Sequence, residues 1–270
     1  MVPRVNTEQL EGRHPVLEAL RAGRPLQEIL IARETKPAKI VDDIVRLAKR
    51  RGVAVRELPR KAIDERAKTR APQGVIAIGP SFQYSSVDTM LEAAASDIPL
   101  LVALDGVTDP GNVGALARSA HAAGAHGMIL RQRRSAHVTP TVEKAAGGAL
   151  AHLAVAQVSN LDRTLADLKE RGIWIVALDS GGDSSIWDVD IVESPVCLVV
   201  GSEGAGVSHL IRKRSDFVVR IPMSGKVASL NASAAGAVAL FEIVRRRSGG
   251  SAAGPRGDRG ARRPRSTGSL

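Results

Sequence analysis

Cysteine, aromatic residues and long apolar runs are what this 270-residue sequence has least of. One cysteine, Cys197, excludes a disulfide within the chain. Its place in the apolar run Val196 to Gly201 reads as a small buried hydrophobe, not a reactive thiol. Three Phe, two Trp and one Tyr are too few for the stacking platforms on which single-stranded bases are read. No run of about 18 apolar residues is present to span a bilayer, and no basic-then-apolar N-terminus reads as a secretory signal. The expected compartment is the cytoplasm, with no membrane partner. The histidines, His14, His121, His126, His137, His152 and His209, are scattered without ligand spacing, so no metal site is expected.

Basic charge, by contrast, is plentiful and unevenly placed. The formal net charge is +10. Residues 1–80 carry +7, residues 81–244 carry −4, and residues 245–270 carry +7 through eight Arg against Asp258. Basic ends around a mildly acidic middle suit a chain whose ends hold a polyanion, and nucleic acid is the favoured partner. A merely solvated face and a solubilising tail are the alternative.

Hydrophobic periodicity divides the chain. A first helix is expected over Gln9–Leu20, stopped by Gly23 to Pro25. A strand follows at 28–32, a helix at 39–51, a strand at 53–58, a helix near 61–68 and a strand at 75–78. This makes a compact α/β unit over residues 1–80. A polar linker occupies 81–96, including a helix through 88–95. From Leu100, strands at 100–104, 127–130, 154–158, 174–178, 196–200 and 217–221 alternate with helices at 113–123, 143–149, 161–171 and 232–247. Such alternation predicts an α/β fold with a largely parallel sheet covered on both faces, and a ligand site at the carboxyl ends of its strands. Residues 248–270 are rich in Ser, Gly, Ala, Pro and Arg and read as a disordered tail. No internal repeat is visible.

Three segments carry candidate chemistry. The first, Leu104-Asp105-Gly106-Val107-Thr108-Asp109-Pro110-Gly111-Asn112-Val113-Gly114, runs from a strand end through a turn into a helix, placing backbone N–H groups and the Asn112 amide at a pocket rim. Arg118, less than two turns on, reaches the same rim if its side chain extends back; an N-terminal cap and an ordinary surface arginine are the alternative. The second, Val199-Val200-Gly201-Ser202-Glu203-Gly204-Ala205-Gly206, empties a strand into a glycine-rich loop. Its GxxGxG spacing is not the dinucleotide fingerprint, which excludes a Rossmann dehydrogenase. Glu203 there serves to bond a substrate or to fix the loop. The third, Ile221-Pro222-Met223-Ser224-Gly225 with Ser229-Leu230-Asn231-Ala232-Ser233-Ala234-Ala235-Gly236-Ala237, offers Ser229 and Asn231 as helix-start residues. The helix after them is so poor in large side chains that it needs a tight partner.

In this order and spacing the three segments resemble the SpoU/TrmH class of the SPOUT superfamily, RNA ribose 2′-O-methyltransferases, over essentially residues 9–247. The opening Leu10-Glu11-Gly12-Arg13-His14-Pro15-Val16-Leu17-Glu18-Ala19-Leu20 looks like the small ribosomal-protein-like RNA-binding domain fused to bacterial 23S rRNA guanosine methyltransferases of the RlmB type. One departure is Pro72 before Gln73-Gly74, where members often have His. The resemblance implies an N-terminal RNA substrate-binding domain (1–80), a linker (81–96) and a methyltransferase domain (97–247). The last is an α/β-knot in which residues 201–231 thread an earlier loop. It implies S-adenosylmethionine held by Leu178, Gly201, Ile221, Met223 and Leu230. It implies a homodimer with active sites shared across the interface, which explains the small-residue helix. Asn112, Arg118, Glu203, Ser229 and Asn231 become the catalytic set. A guanidinium is a permanent cation, so Arg118 is better read as an anchor for ribose and phosphate than as a base. The function expected is 2′-O-methylation of a guanosine ribose in 23S rRNA. The alternatives are the same chemistry on tRNA or on an rRNA site of antibiotic resistance, or a non-catalytic RNA-binding or ribosome-assembly role. His137 with Arg131, Arg133 and Arg134 is expected to face RNA.

Overall fold

A computed structural model describes residues 7–34, 38–133, 135–191, 194–226 and 229–248. The basic tail from residue 249 onward and Arg134 lie outside the described residues.

The N-terminal unit is a four-stranded sheet with helices on both faces. Its elements are β1 (Thr7–Glu11), α1 (Arg13–Ala22), β2 (Glu28–Ala32), α2 (Lys39–Arg50), β3 (Ala54–Leu58), α3 (Arg60–Arg66) and β4 (Val75–Pro80). Strand order is β1-β4-β2-β3, parallel between β2 and β3 and antiparallel elsewhere. Helices α1 and α2 bury Val16, Leu17, Leu20, Ile44 and Ala48 with Ile29 and Val75 on one face, while Ile63 of α3 meets Leu30 and Ile76 on the other.

The helix expected over Gln9–Leu20 is corrected at its start, because Gln9, Leu10 and Glu11 are strand, paired with Ile78, Ala77 and Ile76. Two local features force the break. Glu11 is fully buried, and its carboxylate accepts the backbone N–H groups of Lys68 (2.6 Å) and Thr69 (3.0 Å), which fixes it at the end of the strand. Gly12 then takes φ 106, a conformation nearly closed to other residues, and turns the chain into α1.

The second unit begins earlier than the polar composition of 81–96 suggests. Ser85 bridges Ala156, and α4 (Val87–Ala93) seats Met90 so tightly that a Cβ on Gly127 would lie 2.3 Å from its sulfur. There follow β5 (Leu100–Asp105), α5 (Pro110–Ala122), β6 (Gly127–Arg131), α6 (Pro140–Ala146), a short 3-10 turn (Ala149–Ala151), β7 (Ala154–Val158), α7 (Leu161–Glu170), β8 (Trp174–Leu178), β9 (Ser184–Ser185), β10 (Val196–Gly201), α8 (His209–Arg214), β11 (Phe217–Arg220) and α9 (Ala232–Arg247). The seven strands pair in the order β7-β6-β5-β10-β8-β11-β9, with every pairing parallel. All six residues of both β5 and β10 are buried, as strands covered on two faces require. Helices α5, α6 and α9 lie over one face and α4, α7 and α8 over the other. The helix starts follow local chemistry: Asp109 and Thr139 cap α5 and α6 ahead of Pro110 and Pro140, and Asn160 caps α7.

The two units touch along α1, β1 and α6. Arg24 pairs with the buried Glu143, Lys144 Nζ donates to Thr69 Oγ1 at 3.1 Å, and His152 meets Glu18 at 3.0 Å. No helix among the described residues is long and apolar enough to cross a membrane.

Candidate active site

Strands β5, β10, β8 and β11 are neighbours, so their carboxyl ends deliver four loops to one place. A cavity of about 400 Å³ opens there, within the range of small-molecule sites. Leu178, Ile221, Met223 and Leu230 line it with Gly201, the five residues expected to hold the cofactor. Glu203, Ser229 and Asn231 line it as well, and so does Asp179. Met223 and Leu230 are about two-fifths exposed (40% and 39%), which puts apolar surface at an open mouth. The apolar walls with backbone amides and carbonyls between them suit a flat heteroaromatic base, and the carboxylates and amides at one end suit a polar, cationic part.

The loop leaving β10 is pressed against itself. A Cβ on Gly201 would lie 2.1 Å from the Gly206 carbonyl carbon, so no larger residue fits. Ser202 and Gly206 exchange backbone hydrogen bonds of 3.1 and 3.0 Å, closing a tight hairpin with Glu203 at its turn.

Three side chains from three elements meet over this hairpin. Asn231 caps α9, its Oδ1 accepting from the backbone N–H of Ser233 (2.9 Å) and Ala234 (3.3 Å). That fixes which end of its amide is nitrogen, and the nitrogen donates to Asn112 Oδ1 (2.8 Å) and Glu203 Oε1 (2.6 Å). Asn112, nine-tenths buried, donates its own Nδ2 to the same Glu203 oxygen at 2.8 Å. Asn112 itself is held by Asp109, whose carboxylate accepts its backbone N–H at 2.7 Å. The donors and acceptors therefore close on one another, and Glu203 Oε2 has no partner among the described residues. Asn231, not Ser229, is the cap of α9, and Ser229 is left facing the cavity.

Arg118 does not join them. The expectation that it reaches the rim beside Asn112 is corrected: six residues at about 100° each leave the two on different faces of a helix. Its exposed guanidinium lies along α6, where a Cβ on Gly147 would be 3.5 Å from Nη1. It makes no hydrogen bond or ion pair among the described residues, and it does not line the cavity of its own chain.

The basic group expected to face RNA is divided. Arg131 pairs with the buried Asp105 at 2.8 Å, His137 is exposed and shares a 2.6 Å contact with Gln157, and Arg133 is exposed. Cys197 is fully buried, and burial pushes its thiol pKa up to about 12. Asp179 was not singled out in the sequence, although an acidic residue one position past a buried parallel strand is the available signal.

The small residues of α9 turn inward. A Cβ on Gly236 would strike Leu116 at 2.5 Å, and Ala232 and Ala239 are buried beside it. The tight partner is thus α5 of the same chain. The outer stripe carries Ala234, Val238 and Phe241, the last 48% exposed.

Comparison with known proteins agrees with this geometry. Residues 99–241 match the SpoU rRNA Methylase family, and residues 9–85 match an RNA 2′-O ribose methyltransferase substrate-binding family. An uncharacterized tRNA/rRNA methyltransferase of Mycolicibacterium paratuberculosis is 44% identical over 90% of this chain and 79% of its own length. The TrmH-family tRNA/rRNA methyltransferase YacO of Bacillus subtilis is 38% identical over 87% of this chain and 94% of its own. The crystal structure of the SpoU methyltransferase AviRb of Streptomyces viridochromogenes with AdoMet superposes with a TM-score of 0.76 at 28% identity, covering 91% of this chain and 92% of that one.

Proposed function

The chain belongs to the SpoU family of S-adenosylmethionine-dependent RNA methyltransferases, and on that premise we propose that it methylates the 2′-hydroxyl of a guanosine ribose in 23S rRNA. The observation that carries the reading is the closed set Asn112, Glu203 and Asn231, of which Glu203 and Asn231 line the cavity and Asn112 is buried behind them. Residues 1–80 bind the RNA, 97–247 carry the reaction, and 81–96 join them.

When bound, S-adenosylmethionine supplies an electrophilic methyl group. Leu178, Ile221, Met223 and Leu230 hold its adenine by contact, and Gly201 lets backbone amides approach it. Ser229, which lines the cavity, orients the incoming hydroxyl, and Asn231 with Glu203 keeps both loops in register. Methyl transfer needs alignment above all, and fixed geometry of this kind is worth about 7 kcal/mol or more.

Arg118 anchors ribose and the adjacent phosphate as a planar, permanent cation. Its distance from its own cavity and the exposed Val238 and Phe241 support a homodimer in which Arg118 serves the partner's site. The cluster of donors and acceptors favours catalysis over a purely RNA-binding role, since a non-catalytic relative has no use for a cavity so arranged.

The test is incubation with labelled S-adenosylmethionine and total RNA, followed by mapping of the modified nucleoside. A 2′-O-methylguanosine in 23S rRNA supports the proposal. Label in tRNA moves the substrate, and no label in RNA or in ribosome-assembly intermediates overturns the catalytic reading. Arg118→Ala is expected to abolish transfer while leaving cofactor binding intact.

A further inference from the structure

Strand β10 lies between β5 and β8, and both neighbours run into an aspartate. Asp105 stands opposite Gly201 in register, and Asp179 follows Leu178, the partner of Val200. Their carboxylates converge on consecutive backbone N–H groups at the return of the β10 hairpin. Asp179 Oδ2 accepts from Val207 at 3.3 Å, and Asp105 Oδ2 accepts from Ser208 at 2.8 Å.

The remaining oxygens are also spoken for. Asp105, 4% exposed, takes Arg131 Nη1 at 2.8 Å on Oδ1. Asp179 Oδ1 takes the Gly181 N–H at 2.9 Å and lies 3.5 Å from Arg212 Nη1. The backbone records the same fit independently. Gly206 sits at φ +66, and a Cβ there would lie 2.6 Å from Asp179 Oδ2. A side chain at 206 and a carboxylate at 179 exclude each other.

We propose that Asp105 and Asp179 are positioning residues for methyl transfer, a pair of carboxylate clamps that set the hairpin from Gly201 to Ser208 and, through it, the contact of Glu203 with Asn112 and Asn231. The inference rests on the reading of those three as the reacting cluster. Ionised acceptors make backbone hydrogen bonds roughly twice as strong as neutral ones, so two of them at adjacent amides fix the return of the hairpin against its neighbouring strands. Arg131 supplies the opposite charge that a buried carboxylate needs, which explains why it is drawn away from a solvent-facing role. Displacement of a reacting group by about 1 Å costs on the order of a hundredfold in rate, which is how Asp105, outside the cavity, governs turnover.

The test compares the full chain with Asp105→Asn, Glu203→Gln and their double variant, reading kcat, KM for S-adenosylmethionine and Tm on the RNA that the full chain methylates. Asn keeps the volume of Asp105 and loses the charge. The expected result is a kcat about tenfold to a hundredfold lower with KM for the cofactor little changed, and no further loss when Asp105→Asn is added to Glu203→Gln. Additive losses, or an unchanged kcat with a lowered Tm, overturn the proposal, because a merely structural residue acts independently of Glu203. Full turnover by Glu203→Gln instead removes the reading of the cluster on which the proposal stands. Asp179→Asn, judged by the same non-additivity, replaces Asp105→Asn if that variant does not fold; because Asp179 lines the cavity, it is expected to raise KM for the cofactor as well.

Discussion

The side-chain nitrogen of Asn231 stands 2.8 Å from the side-chain oxygen of Asn112, across 119 residues of chain. One residue caps α9 and the other lies in the first turn of α5, so the packing of these two helices over the sheet is also what assembles the polar cluster. The Asn231 amide has its orientation set by the backbone N–H groups of Ser233 and Ala234, and it sets that of Asn112 in turn. Helix capping and the polar cluster thus use the two ends of one amide.

Asn231→Asp separates those two ends. An aspartate caps a helix as well as an asparagine does, so the start of α9 is kept. It has no N–H to give, however, and sets a carboxylate against Glu203 Oε1 and Asn112 Oδ1. We expect kcat to fall about a hundredfold, as for a reacting group displaced by about 1 Å, with the fold retained by circular dichroism. Unchanged turnover would show that the cluster is only a cap.

Gly201→Ala tests the hairpin. Its Cβ would meet backbone, not a yielding side chain, at 2.1 Å. Overpacking of this kind costs about 1–3 kcal/mol and here also displaces the loop that lines the cavity. Calorimetric titration should show S-adenosylmethionine binding weakened at least tenfold, by about 1.4 kcal/mol.

Much of this was readable along the chain, and the failures are instructive. Strands β2, β7 and β8 and helix α9 begin and end where composition places them, because each is an apolar run or a capped helix bounded by strong local signals. Strand β1 resembles the start of a helix because its inward residues precede a true helix without a proline between them, and the anchored Glu11 and the positive φ of Gly12 separate the two. Strand β9, two residues long, and α8, six residues with one buried side chain, carry too little periodicity to register. Asn112, Glu203 and Asn231 were legible as residue types in turns, but their meeting depends on β10 entering between β5 and β8, which no local pattern encodes. Arg118 follows Asn112 by six residues, which turns it to another face of α5, away from the cavity of its own chain. Asp105 and Asp179 passed as ordinary strand-end residues because their partners are backbone amides far along the chain.

The contact between the two units is pH-sensitive in a definite direction. Burial pushes the Glu143 carboxyl above its ordinary range, with Arg24 beside it pulling the other way and Glu8 adding to the rise. A folded-state value above the unfolded one means the stability linked to this group is present below the unfolded value of 4.5 and is lost as pH rises through the folded value. Glu143→Gln cannot lose it, and Arg24 keeps its bond to the Pro80 carbonyl. The difference in Tm between Glu143→Gln and the parent chain should therefore move in favour of the variant between about pH 4 and about pH 8. A difference that stays flat or moves the other way would place Glu143 in a different electrostatic setting.

The strongest consequence of the position of Arg118 is that two dead variants should revive each other. Within one chain its guanidinium lies along α6 beside Gly147, away from the cavity that Asn231 lines. If Arg118 serves the site of a partner, Arg118→Ala and Asn231→Ala each inactivate every site of their own homodimers. In a mixed dimer, however, one of the two sites receives an intact Arg118 from one subunit and an intact Asn231 from the other. Random exchange makes half the dimers mixed, so about a quarter of wild-type methylation returns on mixing. Phe241→Arg, which charges the exposed stripe of α9, should yield monomers in sedimentation and abolish the rescue. Rescue that fails between variants shown to exchange subunits would return Arg118 to its own chain, and the reaction would then require α5 to move.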